Sequence, residues 1–163
     1  MEPSARFHGW VLQFSPRLLG VVLRFVKNRA IAEELVQDVW LRAWRERNRI
    51  DEHRDAFNYL RVAAVHRAID YLRSSAAIKY ETTNATVETE SSAAPEVSGN
   101  IEFDLSTLSA MERAAILLYY QEGQSVLEIS KLLSAPPNTI KTWLSRARAK
   151  LKKNLLTKKE VAS

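Results

Sequence analysis

The chain has 163 residues, enough for one ordinary domain or two small ones and too few for a large multidomain enzyme. Apolar residues make up 46% and charged residues 26%, so a real core can form; four glycines with no Gly-rich phosphate loop argue against dinucleotide, nucleotide and β-rich folds and for helices. No cysteine is present and the three histidines are scattered, which removes thiolate chemistry, disulfide scaffolds and the usual zinc sites; no metal and no cofactor are expected.

Apolar residues at helical spacing mark a first segment with Trp10, Phe14, Leu18, Val22, Phe25 and Val26, in which Pro16 should kink or restart the helix. A second helix carries Ile31, Leu35, Val39 and Arg42 or Ala43. Asn28 caps it, and Glu33 and Glu34 are expected in its first turn, where the helix dipole favours negative charge. It also holds Trp40 and Trp44, four apart, of which one should point inward and the other stay partly exposed. A third helix, from about Asp55 to Ser74, has Phe57, Leu60, Ala64, Ala68 or Ile69, and Leu72 on one face. Its other face interleaves Asn58, Tyr59, Arg61, His66, Arg67, Asp70, Tyr71 and Arg73, a mixture of cations and aromatics suited to single-stranded DNA, and equally to an ordinary cationic helix face.

From residue 76 to residue 105 the composition turns to Ser, Thr, Ala and Glu with almost no apolar periodicity, which predicts a flexible linker. Charge follows the same division. Residues 1–75 carry 13 Lys and Arg against 9 Asp and Glu, residues 76–105 carry 1 against 6, and residues 106–163 carry 10 against 4. Two basic blocks separated by an acidic one fit a chain whose ends meet a polyanion. No apolar run is long enough to span a membrane and the first residues lack an export pattern, so the expected location is the cytoplasm.

Beyond the linker, Leu108, Ala115, Leu118 and Tyr119 mark a helix opened by the S-x-x-E spacing of Ser109 and Glu112 and stopped near Gly123. A short helix from Ser125 to Leu133 repeats that spacing with Glu128. Ser134-Ala135-Pro136 breaks the chain, and Pro137 opens a final helix to about Leu155. Short helix, tight turn and longer basic helix form a helix-turn-helix, whose second helix enters the DNA major groove. Eight Lys and Arg lie between Thr139 and Lys159 with no acid among them, the pattern that releases counterions from duplex phosphates. Base-edge or phosphate contact is expected from the N-terminal part of that helix: Asn138, Thr139, Lys141, Thr142 and Ser145. The fold class is therefore all-α, with two small helical domains on a flexible acidic linker. An enzyme is not expected, because Glu33, Glu34 and Asp38 have no partner spaced to complete an acid/base site.

The stretch AEELVQDVWLRAWR (Ala32 to Arg45) resembles the AEDLVQEVFLRVWR-type helix of bacterial sigma factors. FNYLRVAAVHRAIDYLR (Phe57 to Arg73) is similar to their promoter-melting helix, and Leu108 to Leu151 is similar to their C-terminal helix-turn-helix with its EIA…GTVKSRLxRAR hallmark. Length and the absence of extra domains point to the extracytoplasmic-function (ECF) subfamily. The resemblance implies that residues 1–75 bind core RNA polymerase and recognise and melt the minus-ten element, that residues 76–105 thread the polymerase cleft, and that residues 106–163 read the minus-thirty-five element.

It further implies docking on the β′ clamp helices through Gln37, Asp38, Leu41, Arg42 and Trp44. Minus-ten DNA would be held by Arg61, His66, Arg67, Asp70 and Arg73, with a base flipped into a pocket lined by the loop Asn48 to Asp55. Minus-thirty-five DNA would meet Asn138, Thr139, Lys141, Thr142, Ser145, Arg146 and Arg148. Val65 and His66 stand where Arg and Asn are usual, and Asn138 and Trp143 where Gly and Arg are usual. Partners implied are core RNA polymerase, promoter DNA and an anti-sigma factor, often membrane-anchored in the family; no small-molecule substrate is implied. Two other readings use the same residues. One is a sigma-like decoy that occupies an anti-sigma factor, which the basic row on the last helix disfavours. The other is a one-component helix-turn-helix regulator, which the Gln37 motif and the cationic-aromatic helix disfavour.

Overall fold

The structure, a computed structural model, describes residues 3–51, 55–81 and 105–162. Among them all regular structure is helical: α1 (Pro3–Phe25), α2 (Arg29–Arg45), α3 (Arg47–Asp51), α4 (Ala56–Glu81), a 3-10 turn (Leu105–Thr107), α5 (Ala110–Tyr120), α6 (Val126–Leu133) and α7 (Pro137–Ala162). The chain forms two compact units, Met1–Val97 and Ser98–Ser163.

In the first unit α1, α2 and α4 pack around Leu18, Val22, Phe25, Leu35, Val39, Leu60, Ala64, Ala68 and Ile69, with Ile50 of α3 sealing one end. Asn28 caps α2 as expected, its Oδ1 accepting from the Ile31 amide at 3.2 Å. Glu33 and Glu34, expected in the first turn of that helix, lie beyond it because the helix starts at Arg29. Contrary to expectation, α1 runs through Pro16 without restarting. Proline supplies no N–H for the carbonyl of Leu12, but Leu12 lies on the exposed side of the helix, where water can take that role. One residue earlier, Ser15 Oγ donates to the Val11 carbonyl and accepts from Trp40 Nε1 at 3.0 Å, so the proline turn is tied to α2. Trp40 is thus the inward indole; Trp44 is 41% exposed, its ring edge-on to Phe7 at 5.0 Å.

Two expectations from the sequence need correction here. The segment Asn48 to Asp51, read as part of a loop, is the body of α3, while residues 52–54 lie outside the described residues. The third predicted helix does not stop near Ser74 but continues to Glu81, into the segment read as linker; most of that segment, residues 82–104, is likewise outside the described residues.

The second unit is a helix-turn-helix braced by α5. Ser109 and Ser125 both form capping boxes with Glu112 and Glu128, each satisfying two amides at a helix start. Gly123 takes a φ of +65° just after α5, a left-handed turn that a side chain would strain. Ser134 ends α6 with a φ of +52°, and Pro137 is the first residue of α7. Ile129, Leu133, Ile140, Leu144 and Ala147 interlock against Ala114, Ala115 and Leu118 of α5. Tyr119, expected with the apolar face of α5, is instead 37% exposed, and its neighbour Tyr120 is 60% exposed. Helix α7 ends at Ala162, two turns beyond the expected stop.

Candidate functional site

In the first unit, a groove of about 460 Å³ opens between α2 and α4. Asp38 and Arg42 line it from α2, Glu46 from the C-cap of that helix, and Asn58, Tyr59, His66, Arg67 and Asp70 from α4. Arg67 spans it, with Nε and a terminal nitrogen 3.2 and 2.8 Å from one carboxylate oxygen of Asp38. Farther along, Tyr59 donates its hydroxyl to Glu46 at 2.7 Å. That bond, with the charges of Arg42 and Arg49, holds the Glu46 carboxyl below its ordinary range despite some desolvation; the same bond and desolvation push the Tyr59 phenol up.

The residues expected to meet polymerase divide between two stripes of α2. Gln37, Leu41 and Trp44 recur at i, i+4 and i+7 on an outward stripe, where Leu41 is 63% exposed. Asp38 and Arg42 form the adjacent stripe along the groove. Of the minus-ten candidates, the groove gathers His66, Arg67 and Asp70. Arg61 does not line it and donates to Asn58 at 3.1 Å, while Arg73 faces Asp70 at 3.6 Å. Asp38 and Arg67, nominated for different partners, therefore bind each other. Val65 is only 3% exposed, so the apolar residue there serves the core, whereas His66 beside it is open to the groove.

The second unit presents α7. Asn138, Lys141, Thr142 and Ser145, at i, i+3, i+4 and i+7, lie exposed on one face, opposite the buried Ile140, Leu144 and Ala147. Thr139 and Trp143 are half-buried on the flank. The Thr142 hydroxyl donates back to the Asn138 carbonyl at 3.0 Å, leaving its lone pairs outward. Arg146 and Arg148 are exposed to either side of this face.

Not every cation of the basic row is equally available. Lys150 lies 2.7 Å from Glu112, whose side chain is 6% exposed. Burial would raise the Glu112 carboxyl, but the Lys150 ammonium, the Ser109 amide and the charge of Arg146 outweigh it and hold the group below its ordinary range. A depressed carboxyl stabilises the fold fully above the unfolded-state carboxylate pKa and ceases to do so as pH falls through the folded value. The second unit should therefore lose thermal stability on acidification below that range. Glu112→Gln should flatten this dependence and lower neutral-pH stability by about 1–3 kcal/mol, the scale of a charge-assisted bond; circular-dichroism melts across pH check both.

Sigma-70 region 2 matches residues 10–78 and Sigma-70 region 4 matches residues 105–151, the two stretches that contain the α2–α4 groove and the helix-turn-helix. The chain belongs to the sigma-70 family. Within that family it is an ECF-type factor, which binds core RNA polymerase and promoter DNA and directs promoter-specific initiation.

Among its relatives are the ECF RNA polymerase sigma factor SigK of Mycobacterium tuberculosis, 27% identical over 80% of this chain and 75% of that protein, and the RNA polymerase sigma factor CarQ of Myxococcus xanthus, 29% identical over 91% and 88%. The fold is similar to that of the sigma factor RpoE from Bartonella quintana, solved in complex with the anti-sigma factor NepR. That similarity has a TM-score of 0.57 at 23% identity over 92% of this chain and 96% of RpoE. Among the described residues, no helix is long and apolar enough to cross a membrane.

Proposed function

We propose that this chain divides initiation between its units. Residues 1–75 hold core polymerase through Gln37, Asp38, Leu41, Arg42 and Trp44, and take opened minus-ten DNA along Arg61, His66, Arg67, Asp70 and Arg73. Residues 106–163 read the minus-thirty-five duplex through Asn138, Thr139, Lys141, Thr142, Ser145, Arg146 and Arg148, and residues 76–105 tether the two. The observation that carries this reading is the polar, cationic outer face of α7, set by the burial of Ile140 and Leu144 behind it. Phosphate contacts along such a face give affinity, and the N-terminal side chains give base choice.

The chain performs no catalytic step itself and acts in the cytoplasm through polymerase. An anti-sigma factor controls it by covering these same faces; RpoE, whose fold is similar, is itself bound by an anti-sigma factor, NepR.

Lys141→Ala and Arg146→Ala should each weaken minus-thirty-five binding by about 1–3 kcal/mol, the scale of one base contact, while core affinity stays unchanged. Promoter-dependent transcription with purified core polymerase, alongside a core-binding titration, measures both. Core binding with no promoter-dependent transcript would instead support the decoy.

A further inference from the structure

Tyr119 and Tyr120 close α5 with their rings 4.9 Å apart, edge to face, and both remain exposed, although an aromatic pair serving only the core would be covered. Arg148 reaches them from α7. Its Nε donates to the Tyr120 hydroxyl at 2.8 Å, and its guanidinium carbon lies 5.6 Å from each ring centre. The contrast with Lys150 is informative. Helix α5 holds Lys150 with a carboxylate, which cancels its charge, but holds Arg148 with neutral phenols, which leave its charge uncompensated. Among the described residues only Nε is engaged in a hydrogen bond, so the two terminal nitrogens keep the fork that suits a phosphate. Because the Tyr120 hydroxyl accepts from Nε, its own proton is left to donate.

Position along the helix gives this arrangement a ligand. Lys141, Ser145, Arg148 and Lys152 recur at i, i+4, i+7 and i+11, a single exposed stripe bordering the duplex-facing side of α7. Arg148 sits about 10 Å along the axis from Lys141, at a rise of roughly 1.5 Å per residue. The geometry points to a phosphate clamp in which Tyr119 and Tyr120 position Arg148, and Tyr120 with Arg148 grips one phosphodiester of duplex DNA. This rests on the reading of α7 as the duplex-facing helix and adds two tyrosines to it. An exposed arginine ordinarily loses much of its rotamer freedom on binding; here the phenol and the two rings restrict it beforehand.

The test uses the full chain in holoenzyme on a promoter duplex selected by that holoenzyme from a randomised pool. Tyr120→Phe keeps both rings and removes only the hydroxyl. It should weaken binding about 3- to 10-fold, the scale of one net hydrogen bond, and should cost less in an Arg148→Ala background. Replacing duplex phosphates one at a time with neutral methylphosphonates should reveal one position that matters to the unsubstituted protein and matters less to Tyr120→Phe and to Arg148→Ala. A purely structural role would change the melt of the second unit without moving that position. Unchanged affinity in Tyr120→Phe, or the same loss with and without Arg148, overturns the clamp. If Lys141→Ala and Arg148→Ala both bind as before, it is the assignment of α7 to duplex DNA that fails.

Discussion

Alanine at both Leu41 and Trp44 is expected to lower affinity for core RNA polymerase by two to three orders of magnitude while the chain stays folded. Both side chains lie on the outward stripe of α2, 63% and 41% exposed, so neither contributes much to its own core. Large apolar side chains that become buried only in a complex are where binding energy concentrates. Truncating such a residue costs about 2 kcal/mol or more, and each 1.4 kcal/mol is roughly tenfold in affinity. Trp44 also touches Phe7 and carries the Arg47 guanidinium 4.2 Å from its ring centre, so its removal costs some local packing. Leu41→Ala alone is the cleaner variant and should account for at least tenfold. A core-binding titration with a parallel thermal melt separates the two effects; full core affinity in the double variant would remove α2 from the polymerase interface.

Ile140→Ala should unfold the second unit selectively. Ile140 is fully buried between the helix-turn-helix and α5, and truncating such a residue costs about 2–5 kcal/mol because the cavity collapses only partly. A unit of this size, Ser98–Ser163, has a total stability of only about 3–10 kcal/mol at roughly 0.05–0.15 kcal/mol per residue. Hydrogen exchange should then lose protection across α5, α6 and α7 while α1, α2 and α4 keep theirs. Core binding through the first unit should survive, and transcription that depends on the minus-thirty-five element should not. Loss of protection in both units together would contradict their independence.

Much of this was legible in local patterns. Ser109 with Glu112, Ser125 with Glu128, Pro137 and Gly123 each act within one turn of helix, so spacing alone locates them and they stand where expected. What the sequence hid is mostly long-range pairing. Asp38 and Arg67 are 29 residues apart, Tyr120 and Arg148 28, and Glu112 and Lys150 38. No periodicity marks a contact made only when two helices cross. Lys150 therefore reads like any other cation of the basic row, and Tyr119 like core. Pro16 misled for a related reason: its cost is local, but the hydrogen bonds of Ser15 to Val11 and Trp40 that accompany it involve a second helix. The end of α7 was missed because continuing a helix past its last buried residue, Ala147, leaves no apolar signature.

The placement of the indoles has a practical consequence. Trp10, Trp40 and Trp44 all belong to the first unit and Trp143 alone to the second. The molecule thus carries built-in optical labels in unequal number. Trp40, with its ring nitrogen bonded to Ser15, reports on the clasp between α1 and α2. A Trp143→Phe protein would emit from the first unit alone, and one retaining only Trp143 would follow the helix-turn-helix by colour and intensity without an attached dye.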